Sequence, residues 1–154
     1  MIDMEESLVK ELTKKFVFLE GKCIITRERR ISVEAPKKAF LDIIGYAASK
    51  LKFEQLCAIT GLDAGENLEF IYHLANREGI MLNLKLTVSK ANPEINTVTA
   101  VYNGAIFYER ELEDLLGAKV AGLPREKHYP LPENWPEGQY PLRKDWKPDA
   151  VQQK

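Results

Sequence analysis

The distribution of proline divides this sequence into two parts. Six of the eight prolines lie within residues 124–148, and the other two are Pro36 and Pro93. Proline lacks the backbone N–H that helices and sheets use, so this density excludes regular helix or sheet from the C-terminal stretch. We therefore expect a globular domain over residues 1–121 and an extended, Pro-rich tail over residues 122–154.

The tail also carries large aromatic side chains, including both tryptophans of the chain. Trp135 and Trp146 lie there together with Tyr129 and Tyr140. A permanently disordered segment is usually poor in such residues. The composition therefore indicates a segment that becomes ordered by lying on another surface, either a partner protein or the helices of its own domain.

The first 121 residues alternate between helical and strand-like patterns. Apolar residues recur at helical spacing over residues 3–16, and again for about 15 residues after Pro36. Between these segments, residues 22–33 indicate two short strands around a charged turn. Three further strand-like runs are residues 53–60, 68–74 and 80–89. These patterns predict an α+β fold, in which a mostly antiparallel sheet packs against helices and an extended Pro-rich C-terminal tail follows.

Few side chains of this sequence could hold a cofactor. It has two cysteines, Cys23 and Cys57, and two histidines, His73 and His128. A structural zinc ion takes four Cys or His ligands, and an iron–sulfur cluster usually takes four thiolates. We therefore expect no metal site and no cofactor, and we interpret the cysteines as small apolar core residues.

Charge and hydropathy exclude other classes of partner. The 22 basic and 23 acidic side chains give a net charge of -1, which does not favour nucleic acid or an anionic membrane. No apolar run approaches the roughly 20 residues of a membrane helix. The acidic N-terminus resembles neither a secretory signal nor a transit peptide. We expect a cytoplasmic chain without direct membrane insertion, attached to the inner (cell) membrane only through other subunits.

A densely acidic helix is predicted over residues 106–117. Its charged side chains are Glu109, Arg110, Glu111, Glu113 and Asp114. Gly117 occupies the position where a glycine often ends a helix. Three interpretations are open: a solvated helix with Arg110 paired to a carboxylate one turn away, paired carboxylates for acid–base catalysis or metal binding, and partner recognition.

Two sequence blocks between residues 107 and 146 form a recognisable pattern. The first block contains Tyr108-Glu109-Arg110-Glu111, Asp114-Leu115 and Gly117, followed by Gly122 and Pro124. The second block contains Pro132-Glu133-Asn134-Trp135, Gly138 and Pro141-Leu142-Arg143-Lys144-Asp145-Trp146. In order and spacing these blocks resemble the 30-kilodalton subunit of respiratory complex I, the NADH–quinone oxidoreductase. The same module occurs in membrane-bound, energy-converting nickel–iron hydrogenases.

The sequence departs from the family pattern after the first block. The family often continues with Gly-His-Pro-Asp-Leu-Arg-Arg, whereas this chain has Gly122-Leu123-Pro124-Arg125-Glu126-Lys127-His128. The chain is also short for a complex I member. Both differences favour the hydrogenase-like branch of the family.

The resemblance implies a non-catalytic scaffold subunit, without its own cluster, nickel, flavin or quinone. In that family the globular part packs on a large subunit, which carries the nickel site or forms much of the quinone cavity. The C-terminal tail wraps over that subunit, and a small ferredoxin-like iron–sulfur subunit lies nearby. The alternatives are the 30-kilodalton subunit of complex I itself, a subunit of a related sulfur-reducing complex, an unrelated adaptor, or a free-standing enzyme using Glu109, Glu111, Asp114 and His128.

On this resemblance we expect no catalytic, cofactor-binding or metal-binding residue, but a set of partner-binding residues. They are Glu109, Arg110, Glu111, Asp114, Gly117, Trp135, Pro141, Leu142, Arg143, Lys144, Asp145 and Trp146. Tryptophan is among the residue types that dominate interface energies. An arginine such as Arg143 can bind a carboxylate through two parallel hydrogen bonds.

Overall fold

A computed structural model describes residues 3–124 and 126–148 of the chain. Arg125 and residues 149–154 of the expected tail lie outside the described residues. In chain order the elements are α1 (Asp3–Lys15), β1 (Cys23–Arg27), β2 (Arg30–Ala35), α2 (Phe40–Ser49), β3 (Gln55–Asp63), β4 (Asn67–Ala75), β5 (Met81–Ser89), β6 (Glu94–Asn96), α3 (Ala105–Leu116) and β7 (Lys119–Ala121). The α+β class predicted from the sequence is confirmed.

Five strands form one mixed sheet in the order β1-β2-β5-β4-β3. Strands β1 and β2 are antiparallel, with Cys23 opposite Val33. Strands β2 and β5 are parallel, with Ser32 beside Asn83. The meander of β3, β4 and β5 agrees with the sequence pattern. The parallel contact between β2 and β5 was not predicted, because no local pattern indicates which strand of the meander lies beside β2.

The chain divides into two compact units. Unit 1 comprises Met1–Thr60 and Phe70–Thr87, and unit 2 comprises Gly61–Glu69 and Val88–Lys154. The described part of the tail therefore belongs to the same unit as α3. It contains turns and bends, and residues 126–147 include no helix or strand.

Unit 1 buries one face of its strands and leaves the other half-exposed. Ile31 and Val33 of β2 and Leu82 and Leu84 of β5 are buried at alternate positions, as the strand period requires. Helix α1 contacts β1 and β2. The ring of Phe40, at the start of α2, packs on that of Tyr72 in β4, with 4.7 Å between centroids. These contacts form the core of unit 1.

The turn between β1 and β2 is held by a carboxylate from α1. The N–H of Arg29 donates to Glu5 Oε1 over 2.6 Å, and this hydrogen bond lowers the pKa of Glu5. Arg29 has a φ of 58°, in the left-handed region that a tight turn requires. Glu5 is buried, so one acidic residue of α1 has a structural role.

Unit 2 is built on α3 and a small second sheet. Leu112 and Leu116 of α3 are buried, as are Ile95 of β6 and Val120 of β7. Strands β6 and β7 pair in parallel, a contact that the sequence analysis did not predict. None of the helices within the described residues is both long enough and apolar enough to span a bilayer.

Candidate partner-binding site

Glu109 anchors α3 inside unit 2. Its side chain is 0% exposed. The N–H of Val98 donates to Glu109 Oε1 over 2.7 Å, and the hydroxyl of Thr97 donates to Oε2 over 2.6 Å. Burial raises the pKa of Glu109, and the two hydrogen bonds oppose that shift. Glu109 was expected among the partner-binding residues, and its carboxylate accepts hydrogen bonds from Thr97 and Val98 of its own unit.

The C-terminal end of α3 is closed by the tail. The last carbonyls of a helix have no partner within the helix. Here the N–H of Leu142 donates to Leu115 O over 3.0 Å, and Arg143 Nε donates to Leu116 O over 2.7 Å. The positive guanidinium of Arg143 therefore lies at the negative end of the helix dipole.

Gly117 makes this closure possible. Its φ of 74° lies in the left-handed region, and its N–H donates to Glu113 O over 3.0 Å. A Cβ at this position would lie 2.5 Å from a ring carbon of Tyr140 and 2.7 Å from Arg143. The guanidinium of Arg143 in turn stacks over the Tyr140 ring at 4.6 Å from its centroid. The absence of a side chain at Gly117 lets the tail lie directly on the helix end.

Polar side chains of α3 hold the beginning of the described tail. Asp114 Oδ1 lies 2.9 Å from His128 Nδ1, and Asp114 Oδ2 accepts the N–H of Leu131 over 3.2 Å. Arg110 pairs with Glu126 over 2.8 Å. A partner for Arg110 one turn away on the same helix was one interpretation of the sequence. The structure instead pairs it with the tail.

The two tryptophans lie together and share one partner residue. Their ring centroids are 6.1 Å apart. The indole N–H of Trp135 donates to Gln139 O over 2.8 Å, and that of Trp146 donates to Gln139 Oε1 over 3.1 Å. Both rings are half-buried, so each keeps some surface open to solvent.

A buried aspartate fastens the end of the described tail. Asp63 Oδ2 accepts the N–H of Lys144 over 2.9 Å and Lys90 Nζ over 2.7 Å. Lys90 Nζ also donates to Asp145 Oδ1 over 2.8 Å. The hydrogen bond from Lys90 holds the pKa of Asp63 at about 2, against the opposing effect of burial. Hydrogen bonds to Asp145 and Asp63 raise the pKa of Lys90.

The expected partner-binding residues thus come together in unit 2, with different degrees of exposure. Glu109 and Gly117 are buried. Arg110, Asp114, Trp135, Pro141, Arg143 and Trp146 are half-buried, and Glu111, Leu142, Lys144 and Asp145 are exposed. Sequence reasoning missed Asp63 and Lys90, which bind the tail, and Thr97, which bonds Glu109. It also assigned no role to Gln139 and Tyr140 within the tail itself. Asp63 lies 81 positions before Lys144, so no local pattern could have indicated their contact.

The potential metal ligands are dispersed. Among residues 3–124 and 126–148, no group of three or more His, Cys, Asp or Glu side chains could hold a metal ion. Burial raises the pKa of the Cys23 thiol to about 11. Both ring nitrogens of His73 are within hydrogen-bond distance of neighbours, Thr60 Oγ1 at 2.8 Å and Asn83 Oδ1 at 2.7 Å.

Residues 33–152 match the family described as the 30 Kd subunit of respiratory-chain NADH dehydrogenase. This chain belongs to that family. The resemblance inferred from the two sequence blocks is confirmed. The members of this family are subunits of respiratory-chain complexes, and this chain is a subunit of the same type.

Three relatives illustrate the breadth of the similarity. A subunit of the F(420)H(2) dehydrogenase of Methanosarcina mazei is 32% identical over 143 residues, covering 91% of this chain and 90% of that protein. A subunit of the NADH-quinone oxidoreductase of Roseiflexus castenholzii is 40% identical over 95 residues, covering 60% of this chain. The match spans 52% of that protein, about half its length. A chain in the structure of the membrane-bound sulfane sulfur reductase, an archaeal respiratory membrane complex, aligns with a TM-score of 0.79 and 26% identity, covering 95% of this chain and 87% of that one.

We expect Glu109→Ala to lower the free energy of unfolding by about 1–3 kcal/mol, because the buried N–H of Val98 and the Thr97 hydroxyl lose their acceptor. Glu111→Ala is the matched control, since Glu111 is exposed on the same helix and should change stability by less than about 0.5 kcal/mol. Urea denaturation of the purified chain measures both. Equal effects of the two substitutions would contradict the anchoring role of Glu109.

We expect Gly117→Ala to destabilise unit 2 more than Gly138→Ala does. Both glycines have a φ of 74°, so both variants incur the same backbone cost of roughly 1–2 kcal/mol. A Cβ at Gly138 meets no atom within 4 Å, whereas one at Gly117 must displace Tyr140. Overpacking of this kind adds about 1–3 kcal/mol, measurable as the difference between the two denaturation curves. Superimposable curves would show that the tail does not lie on the helix end.

We expect the buried carboxylate of Asp63 to make unit 2 sensitive to acid. Its pKa of about 2 in the folded chain lies below the ordinary value of 3.8, so the folded state favours the ionised form. The resulting stability is present above about pH 4 and is lost as the pH falls towards 2. Asp63→Asn should therefore be less stable at neutral pH and lose less stability between pH 5 and 2. Thermal melts across this range measure the slope, and an unchanged slope would refute the assignment.

Proposed function

We propose that this chain is a non-catalytic scaffold subunit in the peripheral, cytoplasmic arm of a membrane-bound electron-transfer complex, where it docks on the large catalytic subunit. The observation that carries the proposal is the closure of α3 by the tail in unit 2. Gly117 and Arg143 hold this closure together, and Leu142 lies exposed on it.

Exposed and half-buried residues of this closure supply the proposed docking surface, which we define as Glu111, Trp135, Leu142, Lys144 and Trp146. Leu142 is 54% exposed although its backbone N–H is bonded to α3. A large apolar side chain presented to solvent on a fixed backbone is suited to fill a partner's pocket. The half-buried tryptophans lie in the same segment and add aromatic surface. Arg143 and Gly117 lie between this surface and the end of α3 and hold the tail in place there.

The tail acts in this proposal as a surface already shaped before docking. Asp63, Asp114 and Arg143 fix it at three places on unit 2. A segment that is ordered in the free subunit loses less conformational entropy when it binds, which favours affinity. The sequence left open whether the tail lies on its own domain or on a partner protein. Both are compatible in this proposal, because the inner side of the tail packs on α3 and its outer side remains available to a partner.

We take a hydrogenase-like complex as the first candidate for the host, as the departures in residues 122–128 favour that branch. The large subunit would then carry a nickel site, with a ferredoxin-like iron–sulfur subunit nearby. An F420H2 dehydrogenase-like or sulfur-reducing complex is the second candidate. Similarity to those proteins over about nine-tenths of this chain supports it. Complex I is the third, and sequencing the co-purifying subunits distinguishes all three.

We expect Leu142→Asp to reduce the amount of intact complex, while each complex that forms turns over at a near-normal rate. A charge at an apolar anchor should cost about 2 kcal/mol of binding, which is roughly 30-fold in affinity. Val101→Asp is the matched control, because Val101 is a 40% exposed apolar residue of the same unit outside the docking surface. Complex abundance and activity per complex are measured in the same preparations.

A catalytic role for this surface makes the opposite forecast. Leu142→Asp would then leave the abundance of the complex unchanged and slow its turnover. That result, or equal losses in Leu142→Asp and Val101→Asp, would refute the scaffold proposal.

A further inference from the structure

A surface turn of unit 2 leads directly into α3. The N–H of Ala105 donates to Tyr102 O over 2.9 Å, so Asn103 and Gly104 are the two central residues of this turn. Both central residues are exposed, whereas Tyr102 and Ala105 on either side are 5% and 0% exposed. The turn therefore presents an Asn-Gly pair to solvent between two buried residues.

An asparagine that precedes a glycine can react with the main chain in water. The backbone nitrogen of Gly104 loses its proton and attacks Cγ of Asn103. A new C–N bond forms, the side-chain amide leaves as ammonia, and a five-membered succinimide ring results. Water then opens the ring at one of its two carbonyl groups. Residue 103 becomes either an aspartate or an isoaspartate, in which the main chain runs through the former side chain.

The position of Gly104 favours this attack. A side chain on the second residue would crowd the nitrogen as it approaches Cγ, and glycine has none. Gly104 is also the N-cap residue of α3, and the first N–H groups of a helix have no partner within the helix. The positive end of the helix dipole lies there, which favours the negative charge of the deprotonated nitrogen.

Two neighbouring asparagines lack these features. Asn92 precedes Pro93, whose nitrogen carries no hydrogen and cannot act as the nucleophile. Asn96 is exposed in β6, but it precedes the β-branched Thr97, whose N–H already donates a backbone hydrogen bond over 2.9 Å. In the whole sequence, Asn103 is the one asparagine that precedes a glycine. The reaction is therefore specific to this turn.

The aspartate product would suit the beginning of α3. The helix has no acidic residue in its first turn, and no side chain caps its first N–H groups. A carboxylate at residue 103 lies one position before the N-cap, where a negative charge interacts favourably with the helix dipole. Conversion of Asn103 to aspartate therefore adds a stabilising interaction.

The isoaspartate product would disturb the same helix. It adds one carbon atom to the main chain between Tyr102 and Ala105, which are both buried. The preceding segment is also held to α3 directly, because Glu109 accepts hydrogen bonds from Thr97 and Val98. A longer connection between two places that are already fixed strains the turn, so this product should be less stable than the aspartate product.

We propose that Asn103 is a spontaneous modification site, at which the chain converts its own asparagine to aspartate and isoaspartate as it ages. The reaction needs only Asn103, Gly104 and water. The two products change the stability of α3 in opposite directions, although both carry the same added negative charge. The proposal goes beyond the proposed function and is independent of it, because no other subunit takes part.

The first test incubates the purified full-length chain in neutral buffer and follows its tryptic peptide of residues 91–110 by mass spectrometry. This peptide contains Asn92, Asn96 and Asn103, so two asparagines are internal controls. Relative to a sample digested before incubation, we expect conversion at Asn103 alone, with aspartate and isoaspartate forms that separate by chromatography. An unchanged Asn103, or equal conversion at Asn96, would overturn the proposal.

Gly104→Ala is the matched variant for the role of the glycine. A Cβ at Gly104 meets no atom within 4 Å, and the φ of -67° is ordinary for alanine, so the variant should fold. We expect conversion at Asn103 to slow about tenfold, which is about 1.4 kcal/mol of activation free energy. An unchanged rate would contradict the proposal. If the variant does not fold, the comparison of Asn103 with Asn96 in the wild-type chain still decides the question.

Thermal melting tests the opposite effects of the two products. Asn103→Asp should raise the melting temperature by about 1–4 °C relative to the wild-type chain. The isoaspartate form, separated from the aged wild-type chain by ion exchange, should melt below Asn103→Asp. Because the two forms have the same charge, this difference reports the lengthened main chain. Equal melting temperatures of the two forms would refute the effect on α3.

Discussion

The C-terminal end of α3 is the constraint on which unit 2 depends. A helix that ends inside a protein leaves carbonyl groups that need donors from elsewhere. The chain supplies them from the segment that follows α3 and from residues 27 positions later, through Leu142 N–H and Arg143 Nε. Gly117 has no side chain to obstruct this approach. The two family blocks are therefore the two halves of one structure, a helix end and its cover.

The same structure explains why the acidic helix resembled a catalytic site in sequence. Its carboxylates are spaced as paired acids and bases are, but their bonds go to fixed groups of unit 2. Glu109 accepts hydrogen bonds from Thr97 and Val98, and Asp114 accepts one from Leu131 and contacts His128. A carboxylate already occupied by stationary donors has fewer lone pairs left for a substrate. This arrangement favours a structural role for the helix.

Local patterns predicted the elements of this fold, and the long-range contacts between them were not predictable. Helices α1, α2 and α3 and the β3–β5 meander follow from periodicity, turn residues and a terminal glycine, which are all properties of neighbouring positions. The β2–β5 and β6–β7 pairings depend on which surfaces meet after collapse. The family resemblance placed Glu109 in the partner-binding set. Its burial could not be predicted, because a run of charged residues does not indicate which carboxylate bonds Thr97 and Val98. Asp63 ends β3 and Lys90 lies in the turn after β5, and neither gave a signal in the sequence.

The contact between Asp63 and the N–H of Lys144 spans 81 positions of the chain. During synthesis Asp63 leaves the ribosome long before the backbone N–H of Lys144 exists. Until residue 144 has emerged, Leu115 and Leu116 also lack the donors that cover the end of α3. Segments made early fold first, so a nascent chain can complete unit 1 while unit 2 is still open. A partner that docked on the closed tail, as we propose, would therefore distinguish finished subunits from unfinished ones, and the order of translation would serve as a check on assembly.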